Sequence, residues 1–135
     1  MTSDDAKTKQ ILYIGLTKHL TGNTIDSIIA KDWDAKVDHA TRAKFNNVGF
    51  DIDPSDFPAA FQDLRQSLSS RAWDGVLIAW CTRGYAERTE LFEQVVNVCI
   101  DETQAEGKRA KLIFNTGPTN LAEPTLRNFP MLCSR

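Results

Sequence analysis

Four strand-sized segments, separated by segments of helical character, constrain this chain more than any other feature. Ile11-Leu12-Tyr13-Ile14-Gly15-Leu16 is continuous and apolar around a glycine, as expected of a strand buried on both faces. Val76-Leu77-Ile78-Ala79-Trp80 has the same character, and Lys111-Leu112-Ile113-Phe114 is a fourth strand candidate. Val48-Gly49-Phe50-Asp51-Ile52-Asp53 alternates apolar and polar residues before Pro54 and reads as a shorter, more exposed strand.

The intervening segments carry helix signals. Ser55 or Asp56 is placed to cap a helix with Pro58 in its first turn, where a missing N–H costs little. Phe57, Phe61, Leu64 and Leu68 then form its buried stripe. Leu91, Phe92, Val95, Val96 and Cys99 mark a second long helix ending near Glu106-Gly107, a glycine suited to a C-terminal stop. Asn120-Leu121-Ala122-Glu123 resembles a capping box that opens a last helix. Between Thr17 and Lys31 the pattern is ambiguous, with turn-forming Thr21-Gly22-Asn23-Thr24 followed by Ile25, Ile28 and Ile29. From Trp33 the spacing Trp33, Val37, Ala40, Lys44 is helical, with a thin apolar face.

Strands that alternate with helices need crossover connections, so the expected sheet is mostly parallel and covered on both faces. Right-handed crossovers leave few topologies. The expectation is an α/β fold, a small doubly wound sheet of about four strands in the order 2-1-3-4. A length of 135 residues suits one domain. Residues 1–9 read as a disordered lead-in and residues 10–135 as a single domain.

Charge and cysteine usage narrow the class. There are 16 Lys+Arg against 18 Asp+Glu and no basic block, which argues against a dedicated nucleic-acid binder. No apolar run approaches the roughly 18–20 residues of a membrane span. Met1–Gln10 lacks the apolar centre of a signal peptide. The 3 cysteines show neither CxxC nor zinc-ligand spacing, which suits a reducing interior, and the expected compartment is the cytoplasm.

In an open α/β sheet, ligands bind beyond the carboxyl ends of the strands, at the switch point between the first and third. That rule selects Gly15–His19, Asp51–Asp53, Cys81–Tyr85 and Asn115–Asn120. Cys81, near an arginine and a helix start, is expected to have a lowered pKa, or else to be a small buried residue. Arg83 can fork to a carboxylate or phosphate, or pair with Glu87 or Glu90. Tyr85 would donate a proton or cover the pocket, and His19 has the side-chain type that titrates near neutrality. Asn115 and Thr116 would hydrogen-bond a carbonyl or developing oxyanion, with Thr17 as a further substrate contact. Asp51 and Asp53 point the same way along the alternating strand but lack a third ligand, so no metal is expected. A cysteine-phosphatase loop is rejected, because the arginine it needs falls on Glu87, with Arg88 one place late. His39 reads as exposed, Cys99 as core and Cys133 as part of the tail.

Three resemblances accompany these readings. Asp74-Gly75-Val76-Leu77-Ile78, Leu91-Phe92-Glu93-Gln94-Val95-Val96-Asn97 and Phe114-Asn115-Thr116-Gly117-Pro118 make the second half similar to a family of small uncharacterised microbial Rossmann-like proteins. That resemblance implies a fold and no activity. Thr21-Gly22-Asn23-Thr24 is similar to the phosphate loop of flavodoxins, displaced by Thr17–Leu20. It implies FMN held by Thr21, Asn23 and Thr24, with Trp80 and Tyr85 as flanking rings. Cys81-Thr82 and Asn115-Thr116 resemble strand-end fragments of the aspartate/glutamate racemase superfamily, with Phe114 where a second thiol would stand.

The functional expectation is a cofactor-independent enzyme of isomerase, lyase or cyclase type acting on an anionic or enolisable small molecule. Cys81, Tyr85 or His19 would move the proton, and Arg83, Asn115, Thr116 and Thr17 would bind the substrate. The alternatives are an FMN-binding electron carrier and a non-catalytic binding or assembly protein. Neither nucleic acid nor membrane is an expected partner, and an uncovered sheet edge makes a homodimer an expectation.

Overall fold

Parallel pairing organises the chain. In the computed structural model, which describes residues 8–104, 109–117 and 119–130, β1 (Lys9–Gly15) lies between β2 (Phe45–Asp51) and β3 (Gly75–Ile78). β3 pairs in turn with β4 (Lys111–Phe114), so all four strands are parallel in the order β2-β1-β3-β4. This is the expected doubly wound sheet. Register aligns Gly15 with Asp51, and Ile14 with Ile78, bringing the carboxyl ends of β1, β2 and β3 to one edge.

Among the described residues five helices connect the strands and a sixth follows β4: α1 (Thr17–Thr21), α2 (Ile25–Lys36), α3 (His39–Arg42), α4 (Phe57–Ser69), α5 (Thr89–Thr103) and α6 (Ala122–Asn128). α4 packs against α5, and α2 against α6. The chain winds from β1 to β2 in one direction and from β2 through β3 to β4 in the other. Right-handed crossovers therefore place the two helix pairs on opposite faces. Both central strands are sealed, with Ile11–Ile14 and Val76–Ile78 at most 1% exposed, which explains their unbroken apolar runs. β2, at the edge, is exposed at Asn46 and half-buried from Asn47 onward, and mixes polar with apolar residues.

The helical half between β1 and β2 differs from expectation. Trp33 does not start a helix. It closes the buried stripe Ile25, Ile29, Trp33 of α2, whose N-cap Thr24 accepts a hydrogen bond from the Ser27 amide. Val37 is extended and ends α2, and the Asp38 carboxylate caps the separate helix α3 by accepting from the Thr41 amide. β2 begins at Phe45, three residues before the alternation at Val48 suggests, because Phe45 packs on Trp33 with ring centroids 5.3 Å apart. It ends at Asp51, so Asp53 lies beyond the strand. β1 already includes Lys9, within the expected lead-in.

Asp56, of the two candidates, caps α4 by accepting from the Ala59 amide. Of the expected α4 stripe, Leu64 and Leu68 are buried with Ala60, whereas Phe57 is exposed. α5 ends at Thr103, where the Thr103 hydroxyl bonds back to the Cys99 carbonyl; Gly107 lies outside the described residues. The expected capping box of α6 does not form. Leu121 is the N-cap, and the Asn120 amide donates to Thr116 instead. The cap comes from Asp32 on α2, whose Oδ2 accepts from the amides of Leu121 (3.0 Å) and Ala122 (2.8 Å). Among the described residues no helix is long and apolar enough to cross a membrane.

Candidate functional site

The segments leaving β1, β2 and β3 enclose a cleft of about 380 Å³ at the carboxyl edge. Leu16, His19 and Leu20 line it from the β1 side, Pro54 and Phe57 from the β2 side, and Arg88, Leu91 and Gln94 from the β3 side. Glu87 and Glu90 complete the lining. The backbone fixes these walls, because Ile52 N–H donates to Gly15 O and Ala79 N–H to Ile14 O, both at 2.8 Å. The cleft lies where the winding direction reverses beside β1, the position at which doubly wound sheets bind ligands.

Arg88 is the cation of this cleft, held by a stack of aromatic rings. After β3 the chain makes two 3₁₀ turns, Trp80–Thr82 and Ala86–Arg88, before α5. The Trp80 amide donates to Asn115 Oδ1 at 2.7 Å, and Trp80 meets Tyr85 edge-on at 5.2 Å. The Arg88 guanidinium covers the Tyr85 ring at 4.5 Å and donates to the Cys81 carbonyl at 2.7 Å. Gly84 permits this packing, since a Cβ there would stand 2.4–2.7 Å from the body of the Trp80 indole. Gly84→Ala is expected to cost about 2 kcal/mol through overpacking and to disturb the Trp80–Tyr85 pair. Thermal denaturation and near-ultraviolet circular dichroism check this, and an unchanged aromatic spectrum would contradict it.

The other predicted residues separate. His19 lines the cleft as an exposed side chain. Cys81 is buried, and its sulfur accepts from the Leu16 amide at 3.2 Å. Burial pushes its thiol pKa up, outweighing that hydrogen bond and the nearby Arg88, so the expected lowering is reversed. Arg83 turns away into a neighbouring groove with Thr89, Phe92 and Phe114. There it donates to the Asn115 carbonyl and lies 5.7 Å from the Phe114 ring centre. The alternative pairing with Glu87 or Glu90 is not formed among the described residues.

Asn115 is buried, and both ends of its side-chain amide serve the scaffold. Oδ1 accepts from Trp80, and Nδ2 donates to Gly117 O at 2.7 Å, bracing the ends of β3 and β4. Its side chain is thus engaged in the scaffold and does not line this cleft. Thr116 is exposed and accepts from Asn120. Thr17 is buried at the start of α1, and its hydroxyl has no partner among the described residues. Tyr85 is 43% exposed and serves as the platform for Arg88.

The flavodoxin-like tetrapeptide is a joint between two helices. Thr21 Oγ1 donates to Thr17 O and accepts from the Asn23 amide, Gly22 sits at φ 84°, and Thr24 caps α2. Trp80 and Tyr85 pack on each other instead of flanking an open slot. Asp51 Oδ1 accepts from the Ile25 amide, and Asp53 Oδ1 accepts from the amide and hydroxyl of Ser55, so the two carboxylates serve different turns. No group of three or more His, Cys, Asp or Glu among the described residues is arranged to hold a metal ion. His39 is exposed on α3, Cys99 is buried in the core, and Cys133 lies outside the described residues.

Sequence reasoning missed Arg88 as a cleft residue. Its position, directly before α5 and three residues before the apolar Leu91, is the one available signal, because a side chain there stands level with the strand ends. Compared with known proteins, the chain matches no family model, no curated protein and no solved structure, so its function is read from this geometry.

Proposed function

We propose that the chain is an acid–base enzyme of isomerase, lyase or cyclase kind that holds a small organic anion in the cleft between β1 and β3. The observation that carries this reading is that Arg88 and His19 line one cleft with a largely apolar wall, in which Arg88 is left unpaired by the neighbouring Glu87 and Glu90. Arg88 has no carboxylate partner among the described residues, and its recorded hydrogen bond goes to a backbone carbonyl. A guanidinium with donors to spare forks naturally to a carboxylate or phosphate. Leu16, Leu20, Phe57 and Leu91 supply apolar surface for the body of the ligand. His19 is the group that would take and return a proton. Arg88 thereby takes the anchoring role first read onto Arg83, and Cys81 becomes part of the wall that carries it.

The test is a nitrogen–proton NMR titration with N-acetyl-L-leucine, a carboxylate on an apolar body. Amide shifts are expected to saturate and to concentrate in residues 16–20 and 87–94. Arg88→Gln is expected to weaken binding at least tenfold, about 1.4 kcal/mol, while His19→Gln leaves affinity within about twofold. Shifts scattered over the surface, or equal affinity in Arg88→Gln, would refute the reading.

A further inference from the structure

Arg88 stands among carboxylates. Glu87 and Glu90 line the same cleft, and neither forms an ion pair among the described residues. A neighbouring depression of about 400 Å³, which also touches His19 and Pro54, sets Lys18 against Asp51 and Asp53. Around the site there are thus two cations against four carboxylates, His19 aside. The donors open to an anion are correspondingly few. Arg88 gives one N–H to the Cys81 carbonyl and lays its face on Tyr85, so what remains is the free edge of a single guanidinium. The start of α5 adds little, because the Thr89 amide is taken by the Ala86 carbonyl of the preceding 3₁₀ turn.

This balance separates one class of anion from another. A phosphate ester carries close to two negative charges and is held by several donors at once, commonly backbone amides at a helix start or in a nest. One in-plane guanidinium edge matches one carboxylate. The first negative charge of a ligand is met by Arg88. A second charge faces Glu87 and Glu90 at that end, or Asp51 and Asp53 toward β2, and carboxylates outnumber cations at both. Beyond the guanidinium, Leu16, Leu20, Phe57 and Leu91 favour an uncharged body. Resting on the anion-binding reading above, we infer that the ligand is a monocarboxylic acid with an uncharged apolar body. Glu87 and Glu90 are then specificity residues, which turn away dianions such as phosphate esters and dicarboxylates.

Three probes built on similar carbon skeletons test this by calorimetry or NMR titration: 4-methylpentanoate, 3-methylbutyl phosphate and 2-methylglutarate. The titrations are run at pH 8, where the phosphate ester is a dianion, and at low ionic strength, where salt screens the cleft charges least. 4-Methylpentanoate is expected to bind at least tenfold more tightly than either dianion. The double variant Glu87→Gln/Glu90→Gln, which keeps Arg88 and the apolar wall, should reduce that preference at least threefold. A dianion that binds as tightly as 4-methylpentanoate, and is lost in Arg88→Gln, overturns the monocarboxylate and leaves the anion reading standing. An unchanged preference in the double variant overturns the assignment of selectivity to Glu87 and Glu90. Absence of binding by all three probes overturns both readings.

Discussion

Asp32→Ala is expected to destabilise the protein by about 3 kcal/mol and to lower the melting temperature by roughly 10 °C. Asp32 is only 7% exposed, and one of its oxygens satisfies the first two amides of α6. α6 has no side-chain cap of its own, so truncation leaves both donors buried and unpartnered. Lys36 Nζ lies 2.6 Å from the other oxygen but is half-exposed, so that ion pair contributes the smaller share. The effect spreads through what α6 carries. Thr125 shares a 2.8 Å hydrogen bond with the Tyr13 hydroxyl at the centre of the sheet, and Phe129, just past the helix, meets Phe45 edge-on at 6.0 Å. Asp32→Asn keeps one acceptor and loses the charge, so about half the loss is expected. Urea denaturation of the two variants checks this, and a loss under 1 kcal/mol in Asp32→Ala would show that α6 is held by packing alone.

The contrast between β1 and Asp32 shows what the sequence can reveal. Ile11–Ile14 and Val76–Ile78 are legible because burial on both faces forces a local apolar run, and local patterns are what a sequence displays. Strand order followed from the alternation of strands with crossovers. The α6 cap was illegible because its acceptor lies 89 residues from Leu121, while the nearby Asn120-x-x-Glu123 spacing imitated a local box. Trp33 misled for a related reason. Its apolar neighbours on the same face are Ile25 and Ile29 upstream, so counting forward from Trp33 started the helix where it nearly ends.

Legibility of the site follows the same division. The switch-point rule selected the edge of the sheet at which this cleft lies, with His19 in its lining, because that position depends on topology alone. Which side chain faces the cleft depends on how the chain turns after the strand. Two 3₁₀ turns after β3 bury Cys81, send Arg83 toward Phe114 and bring Arg88 back over Tyr85. Asn115 stood at a strand end as expected, but the Trp80 amide there required an acceptor, and Asn115 supplies it.

Stability should fall steeply in alkali, by about 4 kcal/mol between pH 8 and pH 11. Burial pushes the Cys99 thiol from its ordinary 9.0 up to about 12. Burial also pushes the Tyr13 phenol far above its ordinary 10.0, an effect its hydrogen bond to Thr125 only partly offsets. Across this interval the native state keeps protons that the unfolded chain releases. The unfolded state therefore binds fewer protons, and the free energy of unfolding decreases as pH rises. Each group adds a slope of about 1.4 kcal/mol per pH unit, Cys99 from about pH 9 and Tyr13 from about pH 10. Cys81, also raised by burial, adds in the same direction. Below pH 8 all three are protonated in both states and contribute nothing to the slope. Urea midpoints from pH 7 to pH 11 measure the effect, and reading slopes cancels the packing cost of each substitution. Cys99→Ala should flatten the profile from pH 9 upward, and Tyr13→Phe only from pH 10. A profile as steep in Cys99→Ala as in the parent chain would show that the thiol ionises in the native state, which requires water to reach the helix–sheet interface where Cys99 is buried.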